Sequence, residues 1–140
     1  MLFNALIRII KSESRDIAHL FANRWENLLN LRILPDEPLT FIKKCVGQRR
    51  VYWTWHVNMR LGKRFISRDM ILGTVDSYEI IESYPEDKYY PSYLLYACHG
   101  SEVFHVLFAA DVSEENVRVV TAYRPRPEEW SEDLKRRKKS

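Results

Sequence analysis

Apolar residues recur at helical spacing through the first part of the chain and at alternating positions through the second half. Leu2, Leu6, Ile9 and Ile10 share one stripe, and Ile17, Leu20, Phe21, Trp25, Leu28 and Leu29 share another. These stripes predict helix over residues 1 to about 34, with Ser14 as a cap for the second one. Pro35-Asp36-Glu37-Pro38 stops the pattern and marks a joint. A short helix is expected from Pro38 to about Val46, with Leu39, Ile42 and Val46 inward, Lys43 and Lys44 outward, and its end near Gly47. Thr54 is a good N-cap for a further helix with Val57 and Leu61 as its buried pair, weakened at its end by Gly62. Ser67 caps another, carrying Met70, Ile71 and Leu72 to about Val75.

The period then changes. Tyr78 to Tyr84, Ser92 to Cys98, Val103 to Ala110 and Val117 to Tyr123 are β-rich runs. Pro85-Glu86-Asp87, His99-Gly100-Ser101-Glu102 and Asp111 to Asn116 separate them, and such short connections make successive strands antiparallel. Helices first and a meander second predict an α+β fold, with helices packed on one face of a mainly antiparallel four-stranded sheet. The expected organisation is a helical extension at 1–34, an α+β domain at 35–130 and a basic, disordered tail at 131–140.

The bulk properties constrain this picture modestly. A chain of 140 residues with 46% hydrophobic residues is enough for one domain with a real core. The formal charge is +3, and Lys135, Arg136, Arg137, Lys138 and Lys139 carry much of the excess, so the body is close to neutral. A nucleic acid or an acidic protein is compatible with that balance but not demanded by it. Cys45 and Cys98 have neither metal nor redox spacing, which favours a reducing cytoplasm with free thiols. The apolar opening is broken by Asn4 and Arg8, so neither a signal peptide nor a membrane span is expected.

The candidate chemistry begins at His56, Arg60 and Arg64, which at intervals of four residues share one helix face. The first helical turn after Thr54 offers unpaired amides, so an anion is favoured there and the imidazole stays largely neutral. A solvated basic helix face is the plainer reading. His105 lies on the same side of its strand as Val103 and Leu107, where an imidazole must find a partner or line a cleft. Thr121 and Tyr123 share one face of the last strand and can offer hydroxyls to the same cleft. Arg49, Arg50, Arg68 and Arg124 extend a basic rim, or simply solvate loops. Tyr84, Tyr89, Tyr90, Tyr93 and Tyr96 invite a base-stacking reading, but acidic Glu86-Asp87 precedes Tyr89-Tyr90 and favours hairpin packing. Trp53 and Trp55 are expected to anchor the His56 helix to the core. No zinc spacing, glycine-rich phosphate loop or serine-nucleophile motif is present, and no cofactor is expected.

Taken in order, His56-x3-Arg60-x3-Arg64-x-Ile66-Ser67, Ile80-Ile81-Glu82-Ser83-Tyr84-Pro85 and Pro91-Ser92-Tyr93-Leu94-Leu95 resemble the family described as domain of unknown function 4258. His105-Val106-Leu107, Val119-Val120-Thr121-Ala122-Tyr123-x-Pro125 and Glu129-Trp130 continue the resemblance. That family is grouped with RelE-like toxins and the barnase–EndoU–colicin–RelE nuclease fold. The resemblance implies helices against a curved antiparallel sheet, and an RNA-cleaving toxin that needs no metal and pairs with a cognate antitoxin. His56 would take the proton from a ribose 2′-hydroxyl and His105 or Tyr123 would protonate the leaving 5′-oxygen. Arg60 and Arg64 would stabilise the transition state. The stretch from Ser92 to Ala110 holds no Lys or Arg, which speaks against ribosome-dependent cleavage. A second expectation is a non-catalytic protein- or nucleic-acid-binding module on the same scaffold, with N-terminal helices that allow a homodimer.

Overall fold

The computed structural model describes residues 33–139. Packing divides the chain into Met1–Ile33 and Leu34–Ser140, and the second unit carries the described helices, the sheet and the candidate site. The expected N-terminal helices, and any homodimer built on them, lie outside the described residues.

Helix α1 spans Pro38–Gly47 and starts on a proline, whose fixed φ and missing N–H suit the first turn. Arg49 follows in the left-handed region with φ 59°, turning the chain into the three-residue strand β1, Val51–Trp53. Helix α2, Trp55–Arg64, is capped by Thr54, whose Oγ1 accepts from the Val57 N–H at 3.1 Å. It runs past Gly62 and ends at Phe65, in the left-handed region. Ser67 caps α3, Arg68–Gly73, in the same way as Thr54 caps α2, and a 3-10 turn at Val75–Ser77 leads into the sheet. Strands β2 (Glu79–Tyr84), β3 (Ser92–His99), β4 (Glu102–Asp111) and β5 (Asn116–Tyr123) follow.

The fold is α+β, with an open five-stranded sheet in the order β1-β5-β4-β3-β2. β2 to β5 form the expected antiparallel meander. The expectation of four strands is corrected by β1, which pairs in parallel with Val117–Val119 and makes the sheet mixed. Val51-Tyr52-Trp53 is too short to carry a period, and a parallel pairing leaves no local turn to announce it.

The core joins Ile42, Cys45 and Val46 of α1, Val57 and Leu61 of α2 and Ile71 of α3 to alternating sheet residues. Those sheet residues are Tyr93, Leu95 and Ala97 of β3, Phe104, Val106, Phe108 and Ala110 of β4, and Val117, Val119 and Ala122 of β5. They define the inner face of the sheet. Cys45 is a free thiol whose burial pushes its pKa up. Cys98 is free and half-buried.

The end of the chain also departs from expectation. Residues 126–139, including most of the tail expected to be disordered, form an ordered strap. Trp130 bridges Arg137 and is 1% exposed, and Lys138 N–H bonds Glu129 O at 2.9 Å. A large apolar ring inside a charged stretch supplies the burial that a purely polar tail lacks.

Candidate functional site

Strand register arranges the outer face of the sheet as rows of side chains. Tyr52, Arg118, Ala109, Ser92 and Tyr84 make the first row. Thr121, Leu107, Leu94 and Glu82 make the second, and Tyr123, His105, Tyr96 and Glu79 the third.

Two β-bulges set the second row. β5 pairs Phe108 with Val119 but Leu107 with Thr121, so Val120 is the extra residue. β2 pairs Ile80 with Leu95 but Glu82 with Leu94, so Ile81 is extra. In an unbroken strand, Thr121 would share the inner face with Val119, and Glu82 with Ile80. Each bulge re-aims a polar side chain from the packed face to the open one.

A hollow of about 330 Å³ sits over this row, floored by Leu94 and Leu107 and walled by Tyr84, Asp87, Thr121, Tyr123 and Arg137. Arg64 reaches its rim from the last turn of α2, where Nη1 donates to Thr121 Oγ1 at 3.2 Å and to Ala122 O at 2.7 Å. β1 covers β5 only as far as Val119, so Arg64 caps a carbonyl, that of Ala122, which the parallel strand leaves open. Arg124 fixes the end of α2 in turn, donating to the carbonyls of Arg64 and Phe65 and pairing with Glu102 at 3.3 Å.

Glu82 accepts twice from Arg137, at 2.9 and 3.0 Å, and once from the Tyr84 hydroxyl at 2.6 Å. Partial burial pushes its pKa up, but these donors outweigh burial and hold the carboxyl below its ordinary value. Burial raises Tyr123 and Tyr84, with the Glu82 charge adding to the shift at both, so both phenols stay protonated at neutral pH.

His105 is sealed rather than open. It is 0% exposed, its Nε2 lies 2.8 Å from Leu134 O and its Nδ1 3.4 Å from the Tyr123 hydroxyl. The carbonyl can only accept, so Nε2 carries the proton and Nδ1 accepts from Tyr123. Trp130 meets its ring edge-on at 4.5 Å between centroids, and Tyr123 at 5.4 Å. His105 thus pins the strap to the third row, with Lys135–Glu79 at 2.9 Å and Arg137–Glu82 as flanking ion pairs.

Burial drives the His105 pKa down, against the Leu134 hydrogen bond and the Glu82 charge, which raise it. The folded protein therefore refuses a proton that the unfolded chain accepts. This contribution to stability is complete above the ordinary histidine pKa of about 6.5 and falls as pH drops below it. A single imidazole limits the slope to about 1.4 kcal/mol per pH unit. Urea midpoints between pH 7 and pH 5 measure it, and His105→Gln should flatten the slope. An equal slope in both proteins would show that another group is responsible.

The other anticipated residues are dispersed. His56 is exposed at the start of α2 and its ring meets the edge of Trp55 at 5.4 Å. Its backbone lies about 12 Å along the helix axis from that of Arg64. Trp55, expected to anchor the helix, is 69% exposed, whereas Trp53 packs against the core. Arg60 is exposed. Arg49 bonds Val46 O, Arg50 bonds Glu114 O, and Arg68 clasps Asn58 Oδ1 beneath Trp53. These three arginines and Arg124 hold turns and helix ends together. Arg137, Glu82 and Asp87 have no place among the site residues expected from sequence, and Tyr84 only a stacking one, since bulges, a turn and a strap bring them to this region. The lone Trp130 among charged residues was the readable signal for that strap.

Among the described residues, no group of His, Cys, Asp and Glu has an arrangement suited to a metal ion, and no helix is long and apolar enough to cross a membrane. No curated protein and no solved structure matches the chain significantly. The model of the family described as domain of unknown function (DUF4258) matches residues 53–124, just over half of the chain. The matched span contains α2, both bulges, Arg64, Thr121 and Tyr123, and leaves out the strap. By the extent of that match, this chain belongs to the DUF4258 family.

Proposed function

We propose that the chain is a metal-independent endoribonuclease of toxin type, acting in the cytoplasm and restrained by a cognate antitoxin. Its scaffold is RelE-like, with the helices kept to one face of a curved sheet and RNA received on the other. The observation that carries this reading is the pair of bulges that turn Thr121 and Glu82 onto the open face, beside Arg64 and Tyr123. Bulges concentrate where a side chain must be re-aimed for function.

The reaction is attack of a ribose 2′-oxygen on the adjacent phosphorus. The O2′–P bond forms, the P–O5′ bond breaks, and the products carry a 2′,3′-cyclic phosphate and a 5′-hydroxyl. Tyr123, kept protonated, turns its O–H from His105 Nδ1 into the hollow and gives that proton to the departing 5′-oxygen. Asp87, the carboxylate lining the same hollow, takes the 2′-hydroxyl proton. Arg64 holds five N–H donors, and those not engaged by Thr121 and Ala122 face the phosphate oxygens with Thr121. His56 and Arg60, further along α2, bind a flanking phosphate rather than the reacting one.

Purified protein incubated with unstructured RNA in EDTA is expected to yield these cyclic-phosphate ends. RNA left intact would overturn the proposal. It would favour a second reading, a non-catalytic RNA- or protein-binding module. The sealed His105 supports that second reading, because the sheet's imidazole is unavailable for proton transfer.

A further inference from the structure

A second, larger hollow of about 700 Å³ adjoins the first on the outer face, and the two share Asp87. Its depth comes from the first row of side chains, where Ser92 and Ala109 stand side by side and neither fills the space above the strands. Tyr89 and Tyr90 form one wall, and Tyr89 is 79% exposed. Arg118 forms the other wall. Its guanidinium lies over the Tyr90 ring at 4.9 Å and over Tyr52 at 6.0 Å, and Nη2 approaches the Tyr90 hydroxyl at 3.5 Å. Lys88 Nζ lies over Tyr89 at 5.3 Å.

The acidic pair before these tyrosines favours hairpin packing; in the structure Tyr89 is exposed, Tyr90 is half-buried beneath Arg118, and both line the hollow with a cation over each ring. Exposed aromatic faces stack on any base, and neighbouring cations meet the phosphate that follows it. The volume suits a single nucleotide. A peptide adding itself as a strand would need unpaired backbone, whereas β3, β4 and the Val117–Val119 part of β5 beneath the hollow are paired on both sides.

We propose that this hollow is a base-stacking subsite for one nucleotide of single-stranded RNA, with Tyr89 and Tyr90 as platforms and Arg118 as the partner of its phosphate. The adjoining Thr121–Tyr123 hollow then receives the neighbouring nucleotide. The proposal rests on the reading that RNA lies across the outer face, but it does not require cleavage.

The test uses the full chain and a fluorescent 2′-O-methyl decanucleotide, which cannot be cleaved by 2′-oxygen attack. Its fully abasic counterpart keeps the charge and removes the bases. The wild-type protein should bind the base-bearing strand at least fivefold, and up to about a hundredfold, more tightly. Tyr89→Ala and Tyr90→Ala should remove most of that difference, as should Ala109→Phe, which fills the floor from the solvent side. Equal affinity for the two strands, or a difference that survives all three substitutions, would overturn the subsite. Cleavage of ordinary RNA is measured in parallel. Base-dependent binding without cleavage supports the subsite and removes the nuclease reading, whereas cleavage without base dependence does the reverse.

Discussion

Trp130→Ala should cost the protein about 3–5 kcal/mol, the range for deleting a fully buried large aromatic side chain. Trp130 is 1% exposed, set edge-on against His105 on one side and under the Arg137 guanidinium at 4.7 Å on the other. Its removal uncovers an imidazole that is otherwise wholly enclosed, so water enters the third row of the sheet. The surviving strap contacts are the His105 Nε2–Leu134 O hydrogen bond, worth about 1 kcal/mol net, and two ion pairs. Lys135–Glu79 and Arg137–Glu82 are partly exposed ion pairs, each worth about 1 kcal/mol or less. Without the indole, the strap should therefore lift from the sheet. Urea unfolding measures the loss, and hydrogen exchange at Lys138 N–H, which bonds Glu129 O within the strap, reports whether the strap keeps its own pairing. A shift below about 1 kcal/mol with that amide still protected would mean that the strap is held by other contacts. Trp130→Phe should fall between the two, because a smaller ring still covers part of His105.

Tyr123→Phe should lower RNA cleavage by about a hundredfold to ten-thousandfold, the usual contribution of a positioned general acid. The substitution keeps the ring that packs against His105 and deletes only the hydroxyl. That hydroxyl is the partner of the buried Nδ1, at 3.4 Å, so its loss should cost about 1–3 kcal/mol of stability. A fall in rate of about a hundredfold or more in protein that is still fully folded at the assay temperature separates a chemical role from a structural one. The pH profile adds a second check. Burial raises the Tyr123 pKa, so the wild-type rate should decline only in strongly alkaline solution, above the ordinary tyrosine value. If the phenylalanine variant cleaves at the wild-type rate, the proton donor is another group.

Local chemistry made much of the fold readable. Thr54 and Ser67 sit before helices as hydroxyl caps, Pro38 opens one, and the antiparallel meander follows from short links between β-rich runs. β1 was hidden because three residues carry no period and its partner lies more than sixty positions away along the chain. The site was legible in part. Thr121 and Tyr123 share a face in any strand conformation, because they are two residues apart. Which face they share depends on the bulge at Val120, and no residue type at that position announces it. The same holds for Glu82 and the bulge at Ile81. His56, Arg60 and Arg64 lie in one helix, but helical spacing says nothing about where each end of that helix arrives. The Arg64 end meets Thr121, while His56 begins the helix in solvent beside Trp55. His105 follows the general preference for buried polar groups to be satisfied, with both ring nitrogens facing a partner.

In the proposed reaction the scissile phosphate sits at the bulge-presented end of the sheet, beside Arg64, Thr121 and Tyr123. The most direct measurement compares cleavage of one oligoribonucleotide in EDTA by the wild type, Tyr123→Phe and His56→Ala. Tyr123→Phe should lose at least about a hundredfold and His56→Ala no more than about tenfold, since only a flanking contact is lost there. Abolished cleavage in His56→Ala together with full activity in Tyr123→Phe would contradict it and move the chemistry to the start of α2.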